Sequence, residues 1–158
     1  MDKPLELLET EVLPEWLDYN EHMNVAYYVM VFDQAVDELL SRVGLGKDYT
    51  RAGKGSVFAI QNHIHYLREV KAGAKLAVNL QLLELDGKRL LMFFRMRDAA
   101  DGQPVATSEL LGIHVGAGRR AVRFPERQFN ALRELMAEQA GLPRPKLAGH
   151  RISTSMKH

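Results

Sequence analysis

At 158 residues with 46% hydrophobic side chains, the chain is long enough for one domain with a real core and too short for two ordinary ones. Its 21 basic and 20 acidic residues leave a formal net charge of +1, so no global field argues for nucleic acid or an anionic membrane as partner. The lack of cysteine excludes a disulfide framework, a thiolate nucleophile and a thiolate zinc site. Met1 to Leu8 carries acidic residues and no apolar run of signal-peptide length, and no later run approaches a membrane span; the expected location is the cytoplasm.

Leu5 to Leu13 is mixed apolar and acidic and reads as a first strand ended by Pro14. Val25, Val29, Phe32, Val36, Leu39, Leu40 and Val43 then recur at helical spacing, with Asn24 as N-cap and Gly44 as stop, which predicts one long half-buried helix. Leu45 to Gly55 is rich in Gly, Lys and Asp and reads as a loop. Alternating runs follow at Ser56 to Val70, Lys75 to Leu85, Lys88 to Arg97 and Pro104 to Val115, with Asp86-Gly87 a strong hairpin signal and Asp101-Gly102 a further turn. Pro125 and Glu126 suit the first turn of a second helix running to about Ala140 and closed by Gly141. From Leu142 the chain loses periodicity and reads as a mobile tail.

A strand, a long helix, four strands as a meander and a terminal helix make a two-layer α+β domain, because the helix must bury its apolar stripe against the antiparallel sheet. The segment between first strand and helix is the most informative part of the chain. Asp18-Tyr19-Asn20-Glu21-His22-Met23-Asn24 keeps the order and spacing of Asp-x-x-Gly-His-x-Asn, with Glu21 at the glycine position, and Tyr28 and Asp33 continue the match into the helix. On these residues the chain resembles the hotdog-fold acyl-CoA thioesterases of the 4-hydroxybenzoyl-CoA thioesterase-like branch.

Within that branch it is most similar to the thioesterase domain fused to, or encoded beside, bacterial carnitine dehydrogenases, whose substrate is betainyl-CoA. That likeness rests on Pro14 to Asn20, His22 to Asn24, Val31 to Asp33, Ala35, Asp37, His63 to His65, Lys88, Arg89, Ala106 to Glu109 and His114, while Gln61 stands where an acidic residue is expected. The resemblance implies a single hotdog domain over residues 1–141, with 142–158 as tail. It also implies homodimers, or tetramers, that share sites across the subunit interface.

Thioester hydrolysis requires an attacking water or carboxylate and a way to stabilise charge on the carbonyl oxygen, and a helix N-terminus offers free amides at the positive end of its dipole. The resemblance makes Asp18 the general base or nucleophile and the amide of Val25 the oxyanion donor, with His22 and Asn24 orienting the carboxylate, the water or the loop. Asn24 is also an ordinary N-cap, His22 an ordinary partner for loop carbonyls, and Asp33 the alternative acid. Thiolate leaves readily, so a dedicated general acid is less necessary than in amide hydrolysis. A non-catalytic acyl-CoA-binding hotdog protein would not need Asp18.

Trp16, Tyr19, Tyr27 and Tyr28 are candidates to surround the acyl group, since aromatic faces hold a quaternary ammonium. Phe58 and Tyr66 are further aromatics of that kind, though Tyr28 and Phe58 read first as core residues. Gln61, His63 and His65 project to one face of their strand, and Thr107 and Glu109 share a face of theirs, so His63 and Glu109 are candidate substrate contacts or interface residues. No third ligand follows the histidines at metal spacing. Carboxylate, water and amides suffice for the chemistry: no cofactor or metal is expected, coenzyme A being part of the substrate. Arg68, Lys71, Lys75, Lys88, Arg89, Arg119 and Arg120 are available for its phosphates.

Overall fold

The computed structural model describes residues 2–155. The chain forms β1 (Leu5–Glu11), a 3-10 turn at Pro14–Trp16, α1 (Val25–Arg42), α2 (Lys47–Arg51), β2 (Gly55–Tyr66), β3 (Lys75–Leu85), β4 (Arg89–Asp98), β5 (Pro104–Gly116) and α3 (Glu126–Glu138). The strands make a 5-stranded sheet in the order β1-β3-β4-β5-β2, antiparallel throughout.

Alternation along the strands decides which face receives α1. Leu76, Val78, Leu80 and Leu82 of β3 and Leu90, Met92, Phe94 and Met96 of β4 are buried on one face. Val31, Phe32, Ala35, Val36 and Leu39 of α1 are buried in the same cluster. This is the two-layer α+β hotdog arrangement that the sequence predicts. Asn24 caps α1 by accepting from the Ala26 amide, and Gly44 ends it with φ +81°, a left-handed conformation that costs glycine little.

Three expectations need correction. The loop read at Leu45 to Gly55 holds α2, too short to show a period. The strand read through Val70 leaves the sheet after Tyr66. The meander is incomplete: β2 pairs with β5 at the sheet edge, not with β3. Residues 67–74 are too long for a tight hairpin, so they free β2 to cross to the far edge while β1 takes the side of β3. That crossing segment is fastened by Leu67 and Arg68 amides to Val105 O, by Met23 N to Val70 O and by Val12 N to Ala74 O.

Where β1 stops, the side chain of Gln139 continues the ladder beside β3, donating to Leu80 O at 2.9 Å and accepting from Leu82 N at 2.9 Å. On β1 itself, Arg42 donates to Glu6 O and Leu7 O. The segment after Gly141, expected to be a mobile tail, touches the sheet face away from α1. Pro143 O accepts from Gln81, and Gly149 N donates to the Glu109 carboxylate at 2.9 and 3.1 Å. Residues 156–158 of that tail lie outside the described residues.

Candidate active site

The motif folds into a closed loop ahead of α1. Leu17 bridges Met23, Asp18 N donates to His22 O, Glu21 N to Asp18 O, and Asn24 N to Trp16 O at 2.9 Å. This is a turn over Asp18 to Glu21 whose last residue sits in the left-handed region, Glu21 having φ 60°. The requirement explains why a glycine suits the position: Glu21 keeps the conformation and carries its cost. Glu21→Gly is therefore expected to raise stability by about 0.5–1 kcal/mol, the relief of left-handed strain exceeding the added entropy of the unfolded chain. A thermal melt reads it, and a lowered midpoint would show that the Glu21 side chain contributes more than its backbone costs.

The Asp18 carboxylate is half-buried, and its Oδ1 accepts from Asn20 N at 2.8 Å. Among the described residues no hydrogen bond occupies Oδ2. Across the loop, the Asn24 cap takes the Ala26 amide and Asn24 O takes the Tyr27 amide. Among the described residues no hydrogen bond takes the amide of Val25, which stays at the positive end of the helix beside an exposed side chain. A carboxylate and a free first-turn amide are thus set on one closed loop.

His22 completes this end of the site, with Nε2 at 3.0 Å from the carboxylate of Glu69. The Tyr28 hydroxyl donates to Arg68 O at 3.2 Å, and its ring meets Tyr66 edge-on at 5.2 Å. Burial pushes the Tyr28 hydroxyl pKa up, and Glu69, Tyr66 and Asp18 add to the shift. Those groups therefore share one electrostatic neighbourhood. Trp16 is buried and stacks on Tyr27 with centroids 5.5 Å apart. Tyr19 is 95% exposed and points to solvent instead.

His63 and Glu109 lie elsewhere. They pair in register on the sheet face away from α1, where His63 stacks on His65 at 4.5 Å and the edge of His150 meets His65. The sheet separates them from Asp18 within this chain. Among the described residues no group of three or more His, Asp or Glu could hold a metal. Of the basic candidates, Arg68 is held by Asp98 and Asp101, Lys75 by Glu11 and Arg89 by Asp86. Glu69 is the site residue that sequence reasoning missed: it stands far along the chain in a segment read as strand, and only the crossing of residues 67–74 brings it to His22.

A cleft of about 760 Å³ opens between α1, α2 and β2. Asp33, Asp37, Asp48, Tyr49 and Met92 line it, and Asp18 does not. Burial, with Asp37 adding to it, raises the Asp33 carboxyl above the ordinary range.

A turn-borne carboxylate tied to the exposed N-terminus of a sheet-packed helix is the architecture of a hotdog thioesterase. The family described as Thioesterase-like superfamily matches residues 12–136, and the chain belongs to it. It is 41% identical over 152 residues, 96% of its length, to the L-carnitine dehydrogenase/betainyl-CoA thioesterase of Agrobacterium fabrum, of which it spans 31%. It is 37% identical to the betainyl-CoA thioesterase of Pseudomonas aeruginosa, covering 96% of each chain. Among solved structures, a Staphylococcus aureus protein in complex with CoA superposes with a TM-score of 0.89 at 27% identity, over 97% of each chain. Among the described residues no helix is long and apolar enough to cross a membrane.

Proposed function

We propose that this protein is a cytoplasmic, homodimeric acyl-CoA thioesterase whose substrate is betainyl-CoA. The observation that carries the reading is the joint placement of the Asp18 carboxylate and the Val25 amide on the loop that starts α1. Asp18 acts as base toward water, or as nucleophile, at the thioester carbon. The Val25 amide and the helix dipole stabilise the oxyanion as the C–S bond breaks and thiolate leaves. His22 and Asn24 hold the loop and orient the reactants. Coenzyme A enters as part of the substrate, and no metal is required.

The acyl assignment draws on the relatives' names and on aromatic surface beside Asp18. Tyr27, partly exposed and backed by the buried Trp16 on which it stacks, offers its outer π face to a trimethylammonium group. Tyr19, and His63 with Glu109, take part only through a neighbouring subunit or the tail. A dimer is supported by the apolar groups exposed on the outer strand β2, Phe58 at 54%, Ile60 at 50% and Tyr66 at 45%, and by Val25 and Val29 on α1.

The test is a side-by-side hydrolysis screen of betainyl-CoA with neutral short-chain, long-chain and aromatic acyl-CoAs, with and without chelator. Betainyl-CoA is expected to exceed a neutral acyl-CoA of similar bulk by about twofold to thirtyfold in kcat/KM, the range that one good cation–π contact supplies. Tyr27→Leu should narrow that ratio while sparing the neutral substrate. Equal or better turnover of neutral thioesters would leave a thioesterase with a different acyl group. No turnover of any thioester, with CoA still bound, would favour a non-catalytic acyl-CoA-binding protein.

A further inference from the structure

Glu69 has no part in the mechanism as described, yet its carboxylate meets the one histidine of the motif. Successive residues of the crossing segment meet successive parts of the catalytic loop and helix: Arg68 O accepts from Tyr28, Glu69 pairs with His22, and Val70 O accepts from Met23 N. The segment is itself anchored by the Arg68 guanidinium to Asp98 and Asp101 at 2.8 and 3.0 Å. Glu69 thus approaches His22 from a fastened support.

A carboxylate accepts and does not donate, so the ring nitrogen facing Glu69 carries the proton. In the neutral imidazole, Nε2–H donates to Glu69 and Nδ1 is left as an acceptor. A histidine free to rotate or to exchange tautomers would present acceptor and donor in turn. The Asp18 carboxylate and the Val25 amide supply proton acceptance and oxyanion donation, and what they do not supply is a second acceptor to fix the attacking water. An Nδ1 lone pair held in place would fill that role.

We infer that Glu69 is a positioning residue for the hydrolysis, locking His22 in the Nε2–H tautomer so that Nδ1 faces the reactants as an acceptor. This rests on the thioesterase reading above. Glu69 acts through His22 and touches no reacting atom, and no bond is made or broken at either residue. The His22 side chain is 30% exposed and that of Glu69 73%. The effect therefore belongs at the lower end of what loss of a histidine's outer partner costs, about tenfold in kcat.

The experiment combines kinetics on the best thioester substrate with nitrogen-15 NMR of the imidazoles in wild type, Glu69→Ala and Glu69→Gln. The His22 signal is assigned by its loss in His22→Gln. At a pH where the imidazole is neutral, wild type is expected to show His22 protonated at Nε2. Glu69→Ala should shift the tautomer balance and lower kcat about tenfold with KM within about twofold, whereas Glu69→Gln, which keeps an acceptor oxygen, should restore most of both. A clamp with a merely structural role would lower the melting temperature and leave tautomer and kcat alone. An unchanged His22 tautomer, or a Glu69→Ala kcat within twofold of wild type, would overturn the inference. If the wild type hydrolysed no thioester the functional reading would fall, and the NMR arm would still decide whether Glu69 sets the state of His22.

Discussion

Replacing Asp18 by Asn is expected to lower turnover at least about a hundredfold, the usual contribution of a general base, with folding intact. The substitution keeps the side chain's size, and its carbonyl oxygen can still accept from Asn20 N, the bond that Asp18 Oδ1 makes at 2.8 Å. The turn over Asp18 to Glu21 and the Asn24 cap are therefore retained. What is lost is the negative charge and the lone pair that takes the proton, or attacks, at the thioester. The control is Asp33→Asn in the cleft between α1 and β2, where burial and Asp37 already disfavour the charged form. Its turnover is expected to stay within a few-fold of wild type. Near-normal turnover in Asp18→Asn beside a dead Asp33→Asn would move the catalytic role to the helix carboxylate.

Phe94→Ala is expected to cost about 3–5 kcal/mol of folding stability, the range for truncating a fully buried aromatic residue. Phe94 is 0% exposed on the central strand β4, with β3 and β5 on either side, and its ring lies 6.3 Å from that of Phe32 on α1. Its removal opens a void at the contact between sheet and helix, where neither layer can collapse without losing its own packing. Against a total of roughly 5–15 kcal/mol the variant is near the edge of folding. At fixed protein concentration its melting temperature should fall on the order of 10 °C. The comparison is Phe58→Ala on the exposed side of β2, expected to change subunit stability by less than about 0.5 kcal/mol and to act on association instead. A loss below about 1 kcal/mol in Phe94→Ala would contradict the packing described for the core.

How much of this was legible in the sequence varies with the range of the interaction. The bounds of α1 follow from a cap, a heptad-like stripe and a glycine, all local, and β3 runs over Lys75–Leu85 as its alternation predicts. The hairpin at Asp86-Gly87 is local too: the Asp86 carboxylate accepts from the Lys88 and Arg89 amides, which lowers its pKa. Strand order was not legible, because the choice of β2 between β3 and β5 is made by a crossing segment without periodicity. The closeness of Trp16 to Tyr27 and of Asp18 to the helix start follows from short separations along the chain. The placing of His63 and Glu109 on the face away from Asp18 does not, since alternation tells which residues share a face and not which face carries the helix. Glu69 had no local signal of any kind.

The stopped side of the sheet has a consequence for association. Arg42 on the carbonyls of β1 and the Gln139 amide beside β3 occupy hydrogen-bonding groups that an incoming strand would need, while β2 at the other margin keeps its outer side open. If copies of the chain associate strand to strand, β2 is then the margin with room for it, and a two-fold axis would set β2 against β2. Such a pair would turn its two β1 margins outward, where Arg42 and Gln139 obstruct a further strand. The fold can then expose a sticky strand with less hazard of open-ended polymerisation, because the opposite margin is partly blocked by Arg42 of α1 and by Gln139 just beyond α3.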